Sequence, residues 1–173
     1  MIFITDTDFC GLLNISGTDN PATKEKLFDI AEQIQIKELD LILGYQLAKD
    51  FISGLSIIPE VQKWLDLRDG KEFVYNGCVC RFKGMNEIFK YLTYYQWVKE
   101  NENQLTAQGN LQASTPNGFN HSNPRAKLVW AYNEAVKQII ECQKLIEIEN
   151  EVLADTYAGF SPSNYSFINL FDI

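Results

Sequence analysis

From Pro124 to about Leu153, Val129, Tyr132, Val136, Ile139, Leu145, Ile146 and Leu153 recur at helical spacing. The spacing predicts a helix of about 30 residues, roughly 45 Å long at 1.5 Å per residue. Such a helix persists in water only when other elements cover its apolar stripe, so the rest of the chain must supply partners. Several stretches do. After the Asn20-Pro21 start signal, Leu27, Ile30, Ala31 and Ile34 keep helical spacing, followed by Ile36, Leu39, Leu43, Leu47 and Phe51. Leu41, Tyr45, Ala48 and Ile52 form a second stripe beside them, so one helix over about residues 21 to 53, ended by Gly54 and buried on much of its circumference, is expected. Pro59 opens a shorter helix to about residue 68 with Val61, Trp64, Leu65 and Leu67 on its core face. A helix over residues 84 to 102 carries Met85, Ile88, Phe89, Leu92, Tyr95 and Val98, with Tyr91, Tyr94 and Trp97 broadening its apolar face. Near the N-terminus, Thr5 with Asp8 three residues later signals a short helix or turn to about Leu13.

The β signal is confined to one place. Phe73-Val74-Tyr75, Asn76-Gly77 and Cys78-Val79-Cys80-Arg81-Phe82 read as a hairpin at about residues 72 to 82, because Asn-Gly readily takes the two positive φ angles of a type I′ turn. A lone hairpin is marginal in water and must pack on helices or on a neighbouring subunit. The expected fold is mainly α: a helical bundle with one inserted hairpin and an extended C-terminal tail. A domain over residues 1–154 includes a polar loop at about 103–123, and residues 155–173 form an aromatic tail. A loop of about 20 residues without period is uncommon inside a compact domain and is usually functional or disordered. It is expected to be a mobile interface loop whose large apolar residues are Leu105, Leu111 and Phe119. In the tail, Tyr157, Phe160, Tyr165, Phe167 and Phe171, with Ile168, Leu170 and Ile173, are candidates to enter pockets on a partner. The competing reading folds the same aromatics back over the chain's own bundle.

Composition narrows the function classes. A content of 46% hydrophobic and 13% aromatic residues supports a sizeable core, so disorder throughout is excluded. The net charge of -8 is dispersed, and no stretch of Lys and Arg forms a phosphate-binding stripe, which argues against sequence-specific nucleic-acid binding. The start, Met1-Ile2-Phe3-Ile4-Thr5-Asp6, lacks the pattern of a secretory signal, and no apolar run approaches a membrane span, so the chain is expected to remain where it is made. Cys10, Cys78, Cys80 and Cys142 are too sparse for a disulfide framework and are read as reduced, mostly buried thiols.

Catalytic and metal chemistry is not expected, and neither is a cofactor. The single histidine, His121, sits in the polar loop, and Cys78-x-Cys80 lacks both zinc spacing and a second ligand pair. Glu147, Glu149 and Glu151, with Asp155, alternate along a helix and diverge instead of converging on an ion. The scattered glycines form no phosphate-cradling loop. Tyr91, Tyr94, Tyr95 and Trp97 have no basic neighbours for base stacking and are read as core plus interface.

Six stretches carry a resemblance: Leu41-Ile42-Leu43-Gly44, Asp69-Gly70-Lys71-Glu72-Phe73, Tyr75-Asn76-Gly77, Phe82-Lys83-Gly84, Tyr91-Leu92-Thr93-Tyr94-Tyr95-Gln96-Trp97 and Thr106-Ala107-Gln108-Gly109. In this order, over about residues 3 to 153, they resemble the head-to-tail adaptor, or head-completion, proteins of tailed phages, particularly those infecting Bacteroides-type bacteria. The resemblance implies a non-enzymatic virion structural protein at the virion neck, assembled in the bacterial host cytoplasm. It implies a ring of about twelve copies. Its other partners would be a portal protein and a tail or second ring protein, with DNA passing non-specifically through the channel. The alternative class is a small helical intracellular regulator or protein-binding module with one cellular partner.

Overall fold

The computed structural model describes residues 4–15, 19–102 and 124–169. It is a helical bundle with one two-stranded hairpin, as the periodicities predict. The helices are α1 (Pro21–Leu43), α2 (Tyr45–Gly54), α3 (Gln62–Asp69), α4 (Met85–Glu102) and α5 (Pro124–Val152); the strands are β1 (Lys71–Tyr75) and β2 (Cys78–Phe82). Helix α5 runs against α4, and α4 against α1, burying Leu27, Ala31, Ile42, Ile88, Phe89, Leu92, Ala135, Ile139, Leu145 and Ile146. Ala131, Ala135 and Cys142 sit among these larger side chains and let the helices approach closely.

Helix α1 starts as expected: Pro21 occupies its first turn and the Asn20 side chain accepts from the Ala22 amide at 2.9 Å. The single helix expected over residues 21 to 53 is two, because Gly44 adopts φ 84° and ψ 147° and bends the chain between Leu43 and Tyr45. A methyl group on Gly44 would stand 2.9 Å from the Ser161 amide nitrogen, so the break also lets the C-terminal segment cross. Leu39, Leu43, Leu47 and Phe51, with Ala48 from the second stripe, therefore face the core, and Ile36, Leu41, Tyr45 and Ile52 lie exposed, against expectation.

Pro59 does not open α3. It follows a cis peptide in the connecting turn, and the helix begins after Val61, whose extended backbone presents its carbonyl to Trp64 N–H at 3.0 Å. The short N-terminal helix is two 3-10 turns, Asp6–Asp8 and Gly11–Leu13, with Thr5 N–H donating to Asp8 Oδ2 at 2.6 Å. Leu153, expected on the core face of α5, lies exposed beyond the helix end at Val152.

Strands β1 and β2 pair antiparallel in the register Lys71↔Phe82, Phe73↔Cys80 and Tyr75↔Cys78, and the turn residues Asn76 and Gly77 take φ 50° and 78°. The hairpin rests on α5 by one face. Lys71 Nζ reaches Glu149 Oε1 at 2.7 Å and Asp66 Oδ2 at 3.2 Å, while Gln138 Oε1 accepts from the Lys83 amide at 2.9 Å. At its base the two chain passes nearly touch: a Cβ on Gly70 would overlap the Phe82 carbonyl, and one on Gly84 the Arg68 carbonyl.

That crossing separates steric cost from conformational strain. Gly84→Ala should lower the free energy of unfolding by roughly 2–4 kcal/mol, since a forbidden contact adds to the strain of φ 97°. Gly77→Ala, at φ 78° with open space around it, should cost only about 1–2 kcal/mol. Urea titration of both variants checks the order, and equal losses would refute the close crossing.

Candidate interaction surface

Among the described residues there is no grouping of three or more His, Cys, Asp or Glu able to hold a metal ion. Glu147 and Glu151 point to solvent while Glu149 turns inward to Lys71, so the carboxylates of α5 diverge. The thiols correct one expectation: Cys10 and Cys78 are exposed, Cys80 is half-buried and only Cys142 is buried. Cys10 lies outside the bundle core between two short turns, and Cys78 falls at the tip of the hairpin, where no element covers it. Burial pushes the Cys142 thiol up, and desolvation with the Glu141 carboxylate raises Cys80, so neither is an activated thiolate. Tyr91 and Tyr94 are core residues, with Tyr91 edge-on to Trp130 at 5.6 Å between ring centroids. Tyr95 stacks obliquely on Tyr132 at 5.3 Å.

The informative surface is apolar. Because side chains alternate across a strand, seating Phe73 and Phe82 on the bundle turns Glu72, Val74, Val79 and Arg81 outward. Val74 and Val79 are a directly opposed pair, 58% and 76% exposed. On α2, Tyr45, Lys49 and Ile52 share one outer face and line an open groove of about 300 Å³ with Asp40 and Ser53. The following turn presents Ile57 and Ile58, the latter 93% exposed. The period-2 pattern of the hairpin places both valines on one face. The exposed face of α2 was hidden, because Gly44 reads as an ordinary helical position until its φ is known.

The tail residues divide. Tyr157 is in the chain's own core at 2% exposure, its ring 6.2 Å from that of Trp64 and its hydroxyl donating to Lys63 O at 3.1 Å. This corrects its assignment as a docking residue: burying a large ring in the native bundle leaves nothing to offer a partner. Phe160 and Tyr165 are half-buried against the same core, with Tyr165 Oη donating to Glu38 Oε2 at 2.6 Å. Phe167 remains 58% exposed. Phe171 lies outside the described residues, as do Leu105, Leu111, Phe119 and His121.

These contacts set the alkaline response. Lys71 is raised by its bond to Glu149, Tyr91 is pushed up to about 12 by burial with help from Glu87, and burial raises Tyr157 and Tyr165 further. Each group keeps its proton longer when folded, so its stabilisation is complete below the unfolded values, near 10 for Tyr and 10.4 for Lys, and is lost as pH rises through the folded ones. Urea unfolding should show stability falling between about pH 10 and 12, less steeply for Tyr91→Phe; a flat profile would contradict the buried phenols. Tyr157→Ala should cost about 3–5 kcal/mol, whereas Tyr165→Phe should cost only about 1 kcal/mol.

No protein-family model, curated protein or solved structure matches this chain.

Proposed function

We propose that this chain is a structural interaction protein, a ring adaptor joining portal to tail in a phage virion and leaving an axial passage for DNA. The observation that carries the reading is the outer face of the hairpin, where Val74 and Val79 stand paired and exposed on a two-stranded sheet supported from one side only. A hairpin packed on one side only, with an exposed valine pair between Glu72 and Arg81 on the other, offers a surface for another chain.

Magnitudes indicate how much more an interface would need. Burying two valines contributes about 3 kcal/mol, against an association cost of about 4–15 kcal/mol. The hairpin alone does not hold two subunits, and the apolar outer face of α2 with Ile57 and Ile58 supplies further area. Several separate apolar faces suit a subunit with neighbours on two sides, as closed rings require. The dispersed net charge of -8 suits a passage along which DNA slides without sticking.

A one-to-one module for a cellular partner would use the same surfaces, so stoichiometry separates the two readings. Co-expression with the candidate portal and tail proteins, followed by electron microscopy, should show rings docked on the portal. Replacing both valines by opposite charges, Val74→Lys with Val79→Glu, should leave the free subunit within about 1 kcal/mol of the parent while abolishing those rings. Rings that persist in the double variant, or a discrete one-to-one complex, would count against the proposal.

A further inference from the structure

Beyond Tyr157 the chain changes character. Residues 160–168 run as an extended strap over the seam between the C-terminal half of α1 and α5. Because α1 ends at Gly44, its last carbonyls lose their helical donors, and the strap supplies replacements. Ser161 N–H donates to Leu43 O at 3.1 Å and Ser163 N–H to Leu41 O at 2.7 Å. Further along, Tyr165 bonds Glu38, and the Asn133 side chain clasps the Ile168 backbone through two bonds of 2.9 Å each. Gln143 reaches the Ser163 carbonyl at 3.5 Å.

No strap side chain is fully buried, in contrast to Tyr157, and the change falls at Gly159, where φ is 78°. A segment held by hydrogen bonds and by two half-buried rings, Phe160 and Tyr165, on a rigid scaffold opens at less than the global unfolding cost. Its hydrogen-bond partners, Glu38, Leu41 and Leu43 with Asn133 and Gln143, all belong to α1 or α5, so any second copy presents the same partners. The nine residues after Gly159, to Ile168, reach up to roughly 30 Å when extended.

We propose that the seam between α1 and α5 is a binding site for an extended segment, and that in the assembled protein its occupant is the strap of a neighbouring copy, exchanged about Gly159. The inference rests on the ring reading. Exchange replaces each bond with an identical one and therefore costs little, while a ring holds the neighbouring seat at high effective concentration. Phe167, exposed in the intramolecular seat, gains a surface between subunits.

Full-length chains with Cys10, Cys78 and Cys80 replaced by Ser, one carrying Leu41→Cys and the other Ser163→Cys, are mixed, assembled with the portal and oxidised. Exchange predicts a disulfide-linked heterodimer as the main product. A control pairing Ile58→Cys with Ser163→Cys should yield at least tenfold less. Absence of the heterodimer, or an equal yield from the control, overturns exchange. Electron microscopy of the same sample keeps the two ideas separate: rings without the cross-link overturn exchange alone, and their absence counts against the ring itself.

Discussion

The indole of Trp64 rests against the backbone of Gly54, at a place where even a methyl group would overlap it. With Phe51 at 6.1 Å and Tyr157 at 6.2 Å between ring centroids, it forms an aromatic knot that joins α2, α3 and the end of the chain. Much follows from this contact. It fixes α3, and α3 leads directly into the hairpin through Gly70. It also gives Tyr157 its seat, and Tyr157 sets where the strap begins and hence where it crosses Gly44. Two consecutive helices and a distant C-terminal segment are thereby placed by one ring against one missing side chain.

The short stretches singled out in the sequence acquire, where they lie among the described residues, a physical meaning from this arrangement. Leu41 to Gly44 is the end of α1 where the strap passes. Asp69-Gly70 and Lys83-Gly84 are the two chain passes that meet at the base of the hairpin. Tyr91 to Trp97 is the aromatic side of α4. All of these are devices of backbone geometry and packing, and none is a reactive group. Motifs of that kind specify how the chain is built and by themselves carry no chemistry.

The outer faces of the hairpin and α2 mix exposed apolar side chains with charged ones such as Glu72, Arg81 and Lys49. Val74, Val79, Tyr45, Ile52 and Ile58 are exposed, while the ionic contacts, such as Lys71 with Glu149 and Asp66, join elements within the chain. Lys71 ties the hairpin to α3 and α5, whereas these apolar residues make no part of the core. An exchanged strap would add a third kind of contact, in which backbone donors of one copy satisfy the helix end of the next.

The sequence by itself determined the helices and the hairpin, because amphipathic period and Asn-Gly turn chemistry are local properties that survive without knowledge of the rest of the chain. Alternation also places Val74 and Val79 on one face, but only the seating of Phe73 and Phe82 on the bundle makes that face the outer one. Tertiary structure decided the break at Gly44, the late start of α3 after Val61 and the burial of Tyr157. The first depends on a segment more than a hundred residues away, which must pass where a side chain would stand. The last depends on Trp64 and Asn150 meeting the tail. An aromatic in an aperiodic tail carries the same sequence signal whether it is bound for its own core or for another protein, and only the presence of a vacant, complementary site in the folded bundle distinguishes the two.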